Sequence, residues 1–257
     1  MIDKLILFII RNSTERDFSL PVFIRCNIVS KENKNKMEVI DAIKSRISVR
    51  CYKPDPIPRD IMTKVLDVAR FSPSGTNTQP WEFYVVTGKT LENIKSIGVK
   101  NIAEGVAIDE PAVPYSGDFR RRQVALGIEM FRIMGIQRED KKRREEWVLE
   151  GMRFFGAPAV IWICLDKAYY QERRDIALVN IGVVTYAITL AALEFKLGTC
   201  IQFQGLMYAR EVQKALNIPE TKHLASCLSI GYPDWNAPIN SLRSERESVE
   251  KLTTWID

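Results

Sequence analysis

The sequence predicts an α+β fold on three observations. Four short apolar runs rich in β-branched and aromatic residues, 81–87, 157–165, 199–203 and 224–230, read as strands. Stretches with apolar residues at helical spacing separate them. No GxGxxG or GxxxxGK[ST] is present, so neither a dinucleotide-binding Rossmann unit nor a P-loop is indicated. At 257 residues the chain can bury a sizeable core, as one large domain or two small ones.

Charge and cysteine usage exclude several functions. The formal charge is +5, but residues 1–36 hold seven Lys/Arg and four Asp/Glu, a net of +3, which leaves only +2 for the remainder. The basic clusters at Arg120 to Arg122 and Lys141 to Arg144 are flanked by acids and carry no interleaved aromatics. They read as solvated helix faces, so no nucleic-acid partner is expected. The five cysteines (Cys26, Cys51, Cys164, Cys200, Cys227) show no CxxC pair and no metal-ligand spacing. Their odd number, with no convincing signal peptide, points to a reducing cytoplasm. His223 is the only histidine. Any His-based triad or His-rich metal site has nothing else to draw on, and His223 is read as structural rather than catalytic.

In chain order, residues 1–36 form an N-terminal extension, and the main domain is expected over 37–257. LILFII at 5–10 is too short to span a bilayer, and Ser30 to Lys36 is a polar linker. Val39, Ile40 and Ile43 mark a first helix over 37–45. Pro54, Pro56 and Pro58 force an extended connection, and Pro58 starts a helix carrying Ile61, Met62, Val65, Leu66 and Ala69. A turn-rich loop and strand 81–87 follow, then a helix from Thr90 to Ile97. Residues 101–118 give no clear period. Asp118 to Gly135 and Arg138 to Phe155 read as two charged, amphipathic helices. Ala157 to Leu165 is continuously apolar, as a strand buried on both faces should be. Ile176 to Leu193 is eighteen residues without a charge. It holds Asn180, Thr185, Tyr186 and Thr189 and lacks a flanking charge asymmetry, so a buried interface helix is chosen over a membrane span. Gly198 is expected to stop it. Strand 199–203, a short helix over 209–216 and strand 224–230 complete the order, closed by Gly231-Tyr232-Pro233.

The chemistry is concentrated in two segments. The loop FSPSGTNTQPW at 71–81 contains Gly75, where backbone can approach a ligand closely, between Pro73 and Pro80. Its Ser74, Asn77 and Gln79 can donate and accept hydrogen bonds, which suits a polar aromatic heterocycle. Upstream, an extended Arg46-Ile47-Ser48-Val49-Arg50 places Arg46, Ser48 and Arg50 on one side. Two guanidiniums and a hydroxyl facing one way suit a phosphate or carboxylate. Alone, each segment reads as an ordinary connection or a solvated basic edge.

Together, at this spacing, RxSxR and PSGTNTQPW resemble the FMN-dependent nitroreductase family, and the block PYSGDFRRRQVALGIEMFRIMGIQRED at 114–140 resembles its nitrobenzoate-reductase-like branch. The resemblance runs from about Met37 to the C terminus. It implies a mostly antiparallel sheet of four to five strands, wrapped by helices, in an intertwined homodimer with 176–193 at its centre. Gly182, Ala187, Ala191 and Ala192 are small enough there for close approach. It implies FMN held by Arg46, Ser48, Arg50, Pro73, Ser74, Gly75, Asn77 and Gln79. Gln202, Gln204 and Gly205 would lie at the flavin edge, and Arg243 and Arg246 would close the phosphate site. Gln204 stands where a common variant has an acid, so its role there would be carried by backbone. The implied activity is hydride transfer from NADH or NADPH to nitroaromatic or quinone-like acceptors, carried by the flavin, with no catalytic side chain and no metal. A small aromatic acceptor and a second copy are the implied partners, with no membrane. Two alternatives remain open: a reductive dehalogenase of the iodotyrosine deiodinase type, and a non-catalytic FMN-binding protein.

Overall fold

The computed structural model describes residues 37–109 and 113–257. The expected N-terminal extension, 1–36, lies outside them. The sheet has four strands: β1 (Glu82–Thr87), β2 (Ala159–Asp166), β3 (Gly198–Ile201) and β4 (Lys222–Gly231), in the order β1-β2-β4-β3. Every ladder is antiparallel, with Val85 opposite Ile161, Trp162 opposite Cys227 and Thr199 opposite Ile230. The helices are α1 (Val39–Ser45), α2 (Arg59–Ala69), α3 (Gly88–Ala103), α4 (Gly117–Ile133), α5 (Lys141–Met152), α6 (Lys167–Glu172), α7 (Arg174–Glu194), α8 (Ala209–Leu216) and α9 (Val249–Leu252).

β2 is the centre of the core, and its continuous apolar run explains why. Ala159 through Leu165 are all fully buried. Alternation divides them between two layers. Ala159, Ile161, Ile163 and Leu165 face Met62 and Val65 of α2 and Ile181, Val184 and Ile188 of α7. Val160, Trp162 and Cys164 join Leu91 and Ile94 of α3 and Phe154 on the other face. Burial pushes the Cys164 thiol up to about 12, with the Glu82 carboxylate adding to it. Cys200 and Cys227 are buried too, as small hydrophobes.

α7 has two faces. Ala177, Asn180, Ile181, Val184, Thr185, Ile188 and Thr189 are buried against the body of the chain. Ile176, Val179 and Tyr186 are exposed, Val179 at 65%. Among the described residues α7 is the one helix long and apolar enough to cross a bilayer, and its buried face makes it a core helix here. Of the small residues expected to admit a partner, Ala191 and Ala192 are buried within the chain and Ala187 is half-buried against the core. Only Gly182 lies open.

Several elements differ from the sequence reading, four of them for a physical reason. α3 runs past Ile97 because Gly98 and Asn101, neither apolar, continue its buried stripe. A Cβ at Gly98 would stand 2.7 Å from Met152 Cε, so the position is filled by its neighbour. α5 is shorter than expected: Asp140 caps its start by accepting from Arg143 N, and Phe154 and Phe155 end it in left-handed backbone. α6, a helix the sequence does not announce, is started by the Asp166 carboxylate, which accepts from Ala168 N and Tyr169 N. α7 is stopped by Lys196, at φ +59°, and not by Gly198.

Gly198 has a different task. A Cβ there would lie 2.4 Å from Val49 Cγ2 and 2.8 Å from Pro233 Cγ. Gly198→Ala should therefore overpack the junction between 46–50, β3 and the Gly-Tyr-Pro turn, at a cost of about 1–3 kcal/mol. A lowered urea midpoint with an unchanged slope is the expected reading. An unchanged midpoint would show that the junction can relax.

Candidate functional site

The basic segment sits beside β3 as its alternation requires. Ser48 forms a parallel bridge with Thr199, and Val49 N donates to Thr199 O at 3.0 Å. Val49 is 2% exposed and points into the core, while Arg46, Ser48 and Arg50 are half-buried on the other side. All three act on the buried thiol of Cys200. Burial pushes that thiol up, and Arg50, a hydrogen bond with Ser48, and Arg46 pull it the other way.

The tail is stapled to this segment by Asn240, which the sequence reading did not single out. It is 1% exposed. Its Oδ1 accepts from Arg50 N at 2.8 Å, and its Nδ2 donates to Cys51 O and Asp234 O, each at 2.8 Å. Its own carbonyl accepts from Arg243 Nη1 at 3.0 Å, which brings Arg243 to the same place. Arg246 donates to Ser244 Oγ at 2.6 Å and to the Ser244 and Glu245 carbonyls. Arg46, Arg50, Arg243 and Arg246 have no carboxylate within ion-pair distance among the described residues. Arg46, Ser48 and Arg50 on one side, with Arg243 tied to the same segment through Asn240, give a basic patch whose donors suit an anion. A short polar sequence, Pro238-Ile-Asn-Ser241, gives no hint of the staple, because a buried asparagine is recognisable only from its partners.

The polar loop is held elsewhere. Gly75 N donates to Asn180 Oδ1 on α7 at 3.2 Å, and Asn180 Nδ2 donates to the Tyr169 hydroxyl at 3.3 Å. Ser74 Oγ accepts from Gln79 N at 2.9 Å, and Gln79 Nε2 donates to Asn77 O at 3.3 Å. Thr76, Asn77 and Gln79 take left-handed backbone at φ +49°, +60° and +44°. The loop is thereby locked while Pro73, Gly75, Asn77 and Gln79 stay exposed. At 1.5 Å per residue, about 21 Å of helix separates Asn180 from Glu194, beyond which β3 meets Ser48. A single chain therefore holds the loop and the basic patch at opposite ends of α7.

The Gln202–Gly205 stretch is committed to the interior. Gln202, 3% exposed, donates from Nε2 to Gly151 O at 3.1 Å. Its Oε1 is buried without a hydrogen-bond partner among the described residues. The Gln204 side chain lies against Gly151, where an added Cβ would meet Nε2 at 2.9 Å. Gly205 packs so closely on Cys227 that an added Cβ would come within 2.1 Å of its sulfur, and its carbonyl accepts from Trp162 Nε1 at 2.8 Å. The Gln202 side chain thus joins α5 to the end of β3. Phe203, 50% exposed, and backbone are what this stretch presents outward.

Beside the tail lies a cavity of about 830 Å³, lined by Arg121, Arg122, Leu126 and Ile128 of α4 and by Arg243 and Arg246. Glu247 closes one side of it. Hydrogen bonds from Lys251, Arg122 and Arg121 hold its carboxyl down to about 2. A depressed carboxylate contributes stability above its ordinary pKa and loses it as pH falls through the folded value, so this contact is intact at neutral and mildly acidic pH. His223 stacks on Tyr170 with ring centroids 3.8 Å apart, a structural position as expected. Among the described residues no group of His, Cys, Asp and Glu could hold a metal ion.

The fold is α+β, with a basic segment beyond one end of a long apolar helix and a polar loop fastened near the other. The model described as "Nitroreductase family" matches residues 43–232, and the chain belongs to that family. A 4-nitrobenzoate reductase from Nocardioides sp. (strain LMS-CY) is 30% identical over 232 residues, covering 86% of this chain and 91% of its own length. One from Pseudomonas putida is 27% identical over 215 residues, covering 82% and 92%. The crystal structure of the FMN-dependent nitroreductase NfnB from Mycobacterium smegmatis in complex with NADPH matches with a TM-score of 0.78 at 27% identity, covering 84% of this chain and 96% of that one.

Asn240→Ala should leave Arg50 N without a partner, while Cys51 O and Asp234 O keep their backbone donors, Asp234 N and Ala237 N. The expected loss is about 1–3 kcal/mol, the cost of one orphaned buried donor. Urea unfolding measures it, and hydrogen exchange should rise in 48–53 before it rises in β2. A variant of wild-type stability would remove Asn240 from its assigned role.

Proposed function

We propose that the protein is an FMN-dependent oxidoreductase that takes hydride from NADPH or NADH and reduces nitroaromatic or quinone-like acceptors. The observation that carries this is the basic segment beside β3: Arg46, Ser48 and Arg50 lie on one side, with Arg243 tied to them through Asn240 and no carboxylate in ion-pair distance of these groups among the described residues. Its donor set suits the flavin phosphate. Arg46, Ser48 and Arg50 would grip that phosphate, and Arg243 and Arg246 would close over it. Ser74, Asn77 and Gln79 would present polar groups to the ring from the exposed side of the locked loop, with Pro73 and Gly75 shaping the approach. Backbone at Gln204 and Gly205 would serve the ring edge. When bound, FMN supplies the two-electron relay between donor and acceptor, in turn and through one pocket. Two relatives named for nitrobenzoate reduction support the same reading, as does the NfnB structure, an FMN-dependent nitroreductase in complex with NADPH.

The separation of loop and basic patch along α7 favours a homodimer, in which one copy's loop meets the other copy's basic patch. The exposed apolar residues Ile176, Val179 and Tyr186 give α7 a face for that contact, and an uncovered face of this kind is an aggregation liability. The domain that does this work is 37–257, with 1–36 an accessory extension.

Two experiments test these proposals. Anaerobic stopped-flow should show NADPH bleaching the flavin and a nitroarene restoring it. In parallel, Arg46→Ala and Arg246→Ala should bind FMN roughly tenfold to a hundredfold more weakly, the equivalent of about 1.5–3 kcal/mol per lost charge-assisted contact. Unchanged FMN affinity in both variants would rule out the basic patch as the phosphate site.

Sedimentation at the flavin absorbance addresses assembly. The full chain and a chain beginning at Met37 should both run as flavin-bound dimers. Val179→Asp, at a position already open in the monomer, should dissociate the dimer and release flavin without unfolding the chain. A monomeric wild type that keeps FMN and turnover would refute the assembly.

A further inference from the structure

The backbone at Gln204 and Gly205 is held from inside the sheet. Phe203–Leu206 forms a single 3-10 turn that follows β3. Trp162, at the middle of β2, is fully buried, and its Nε1 donates to Gly205 O at 2.8 Å. Phe154 packs edge-on against the indole, with ring centroids 5.5 Å apart. Gly205 admits no side chain, because a Cβ there would stand 2.1 Å from Cys227 Sγ and 3.2 Å from Phe154 Cε1. Just before the turn, Gln202 N donates to Cys227 O at 2.8 Å. These contacts are all made in the interior. What the turn brings to the surface is Phe203, which is exposed, and Gln204, which is half-buried.

We infer that Trp162 is a positioning residue for this backbone: by holding the Gly205 carbonyl it sets the direction of the Gln204 N–H. In a 3-10 turn the carbonyls point toward one end and the N–H groups toward the other, so fixing one carbonyl orients the rest. A turn of four residues needs such help, since its own hydrogen bonds are of poor geometry. β2 is a firm anchor for it, buried on both faces and paired along both edges. The indole carries that rigidity to the turn through one buried hydrogen bond. The role of the Gln204 N–H at a flavin ring edge rests on the flavoenzyme reading, whereas the hold of Trp162 on Gly205 does not.

The test uses the full chain, with and without FMN, in two versions that lack the indole donor. One is Trp162→Phe. The other carries 3-benzothienylalanine at 162, which keeps the shape of the indole with sulfur in place of its N–H, and it reads the result should Trp162→Phe not fold. Cys164→Ala, in the same strand and the same layer, controls for lost packing. Without FMN, hydrogen exchange at 203–207 should rise roughly twofold to tenfold in both donor-free chains, the worth of one hydrogen bond, and not in Cys164→Ala. FMN and riboflavin should both bind more weakly by a similar factor, because the change lies at the ring. Arg46→Ala, by contrast, should weaken FMN alone. The potential of the bound flavin should rise in the donor-free chains, because a ring-edge nitrogen that accepts the N–H when oxidised carries a hydrogen of its own once reduced. Unchanged exchange at 203–207, or a rise that Cys164→Ala shares, overturns the hold of Trp162 on the turn. A loosened turn with unchanged flavin affinity and potential overturns its role toward the ring. A wild type that binds no flavin, with the exchange result intact, overturns the flavoenzyme reading and upholds the hold of Trp162 on the turn.

Discussion

The packing of α7 on β2 and β4 is the constraint on which the rest of the structure depends. Ile181, Val184 and Ile188 close one face of the sheet against Ile161, Ile163 and Leu228, all at 2% exposure or less. That contact fixes the line of a helix roughly 30 Å long, at 1.5 Å per residue over 21 residues. The polar loop is fastened near its beginning, and the strand that receives Arg46–Arg50 follows its end. The spacing of the polar loop and the basic segment is thus a property of an apolar interface that carries no chemistry itself.

Two buried asparagines then turn this frame into a site. Asn180, on the buried face of α7, holds Gly75, and Asn240, in the tail, holds Arg50, Cys51 and Asp234. Each is nearly inaccessible and uses both its acceptor and its donor. A buried amide is favourable only when its hydrogen bonds are satisfied, so each position is specified by geometry as well as by chemistry. Apolar packing alone would leave loop and tail free to slide, and these directional contacts do not.

Order falls away from the sheet outwards, and the kind of force changes with it. β2 is buried on both faces, α7 on one, and α4 on none. Correspondingly, hydrophobic contacts give way to buried amides, and those to partly exposed ion pairs around Glu247. The innermost layer is insensitive to salt and intolerant of volume change. The outermost layer is salt-sensitive and adjustable.

Much of this was legible in the chain itself. The continuous apolar run of β2, the alternation that turns Val49 inward and Arg46, Ser48 and Arg50 outward, and the uncharged length of α7 are local patterns, and local pattern determines strand, helix and face. The pairing of RxSxR with PSGTNTQPW carried the family. Tertiary structure alone decided four other things. It sent Gln202 and Gln204 to Gly151, gave Gly198 to packing and the helix stop to Lys196, made Asn240 the staple, and held the loop apart from the basic patch. Each of these depends on residues distant in sequence arriving within a few ångströms of one another. A side chain's type states which bonds it can make, and only the fold states which partner is within reach.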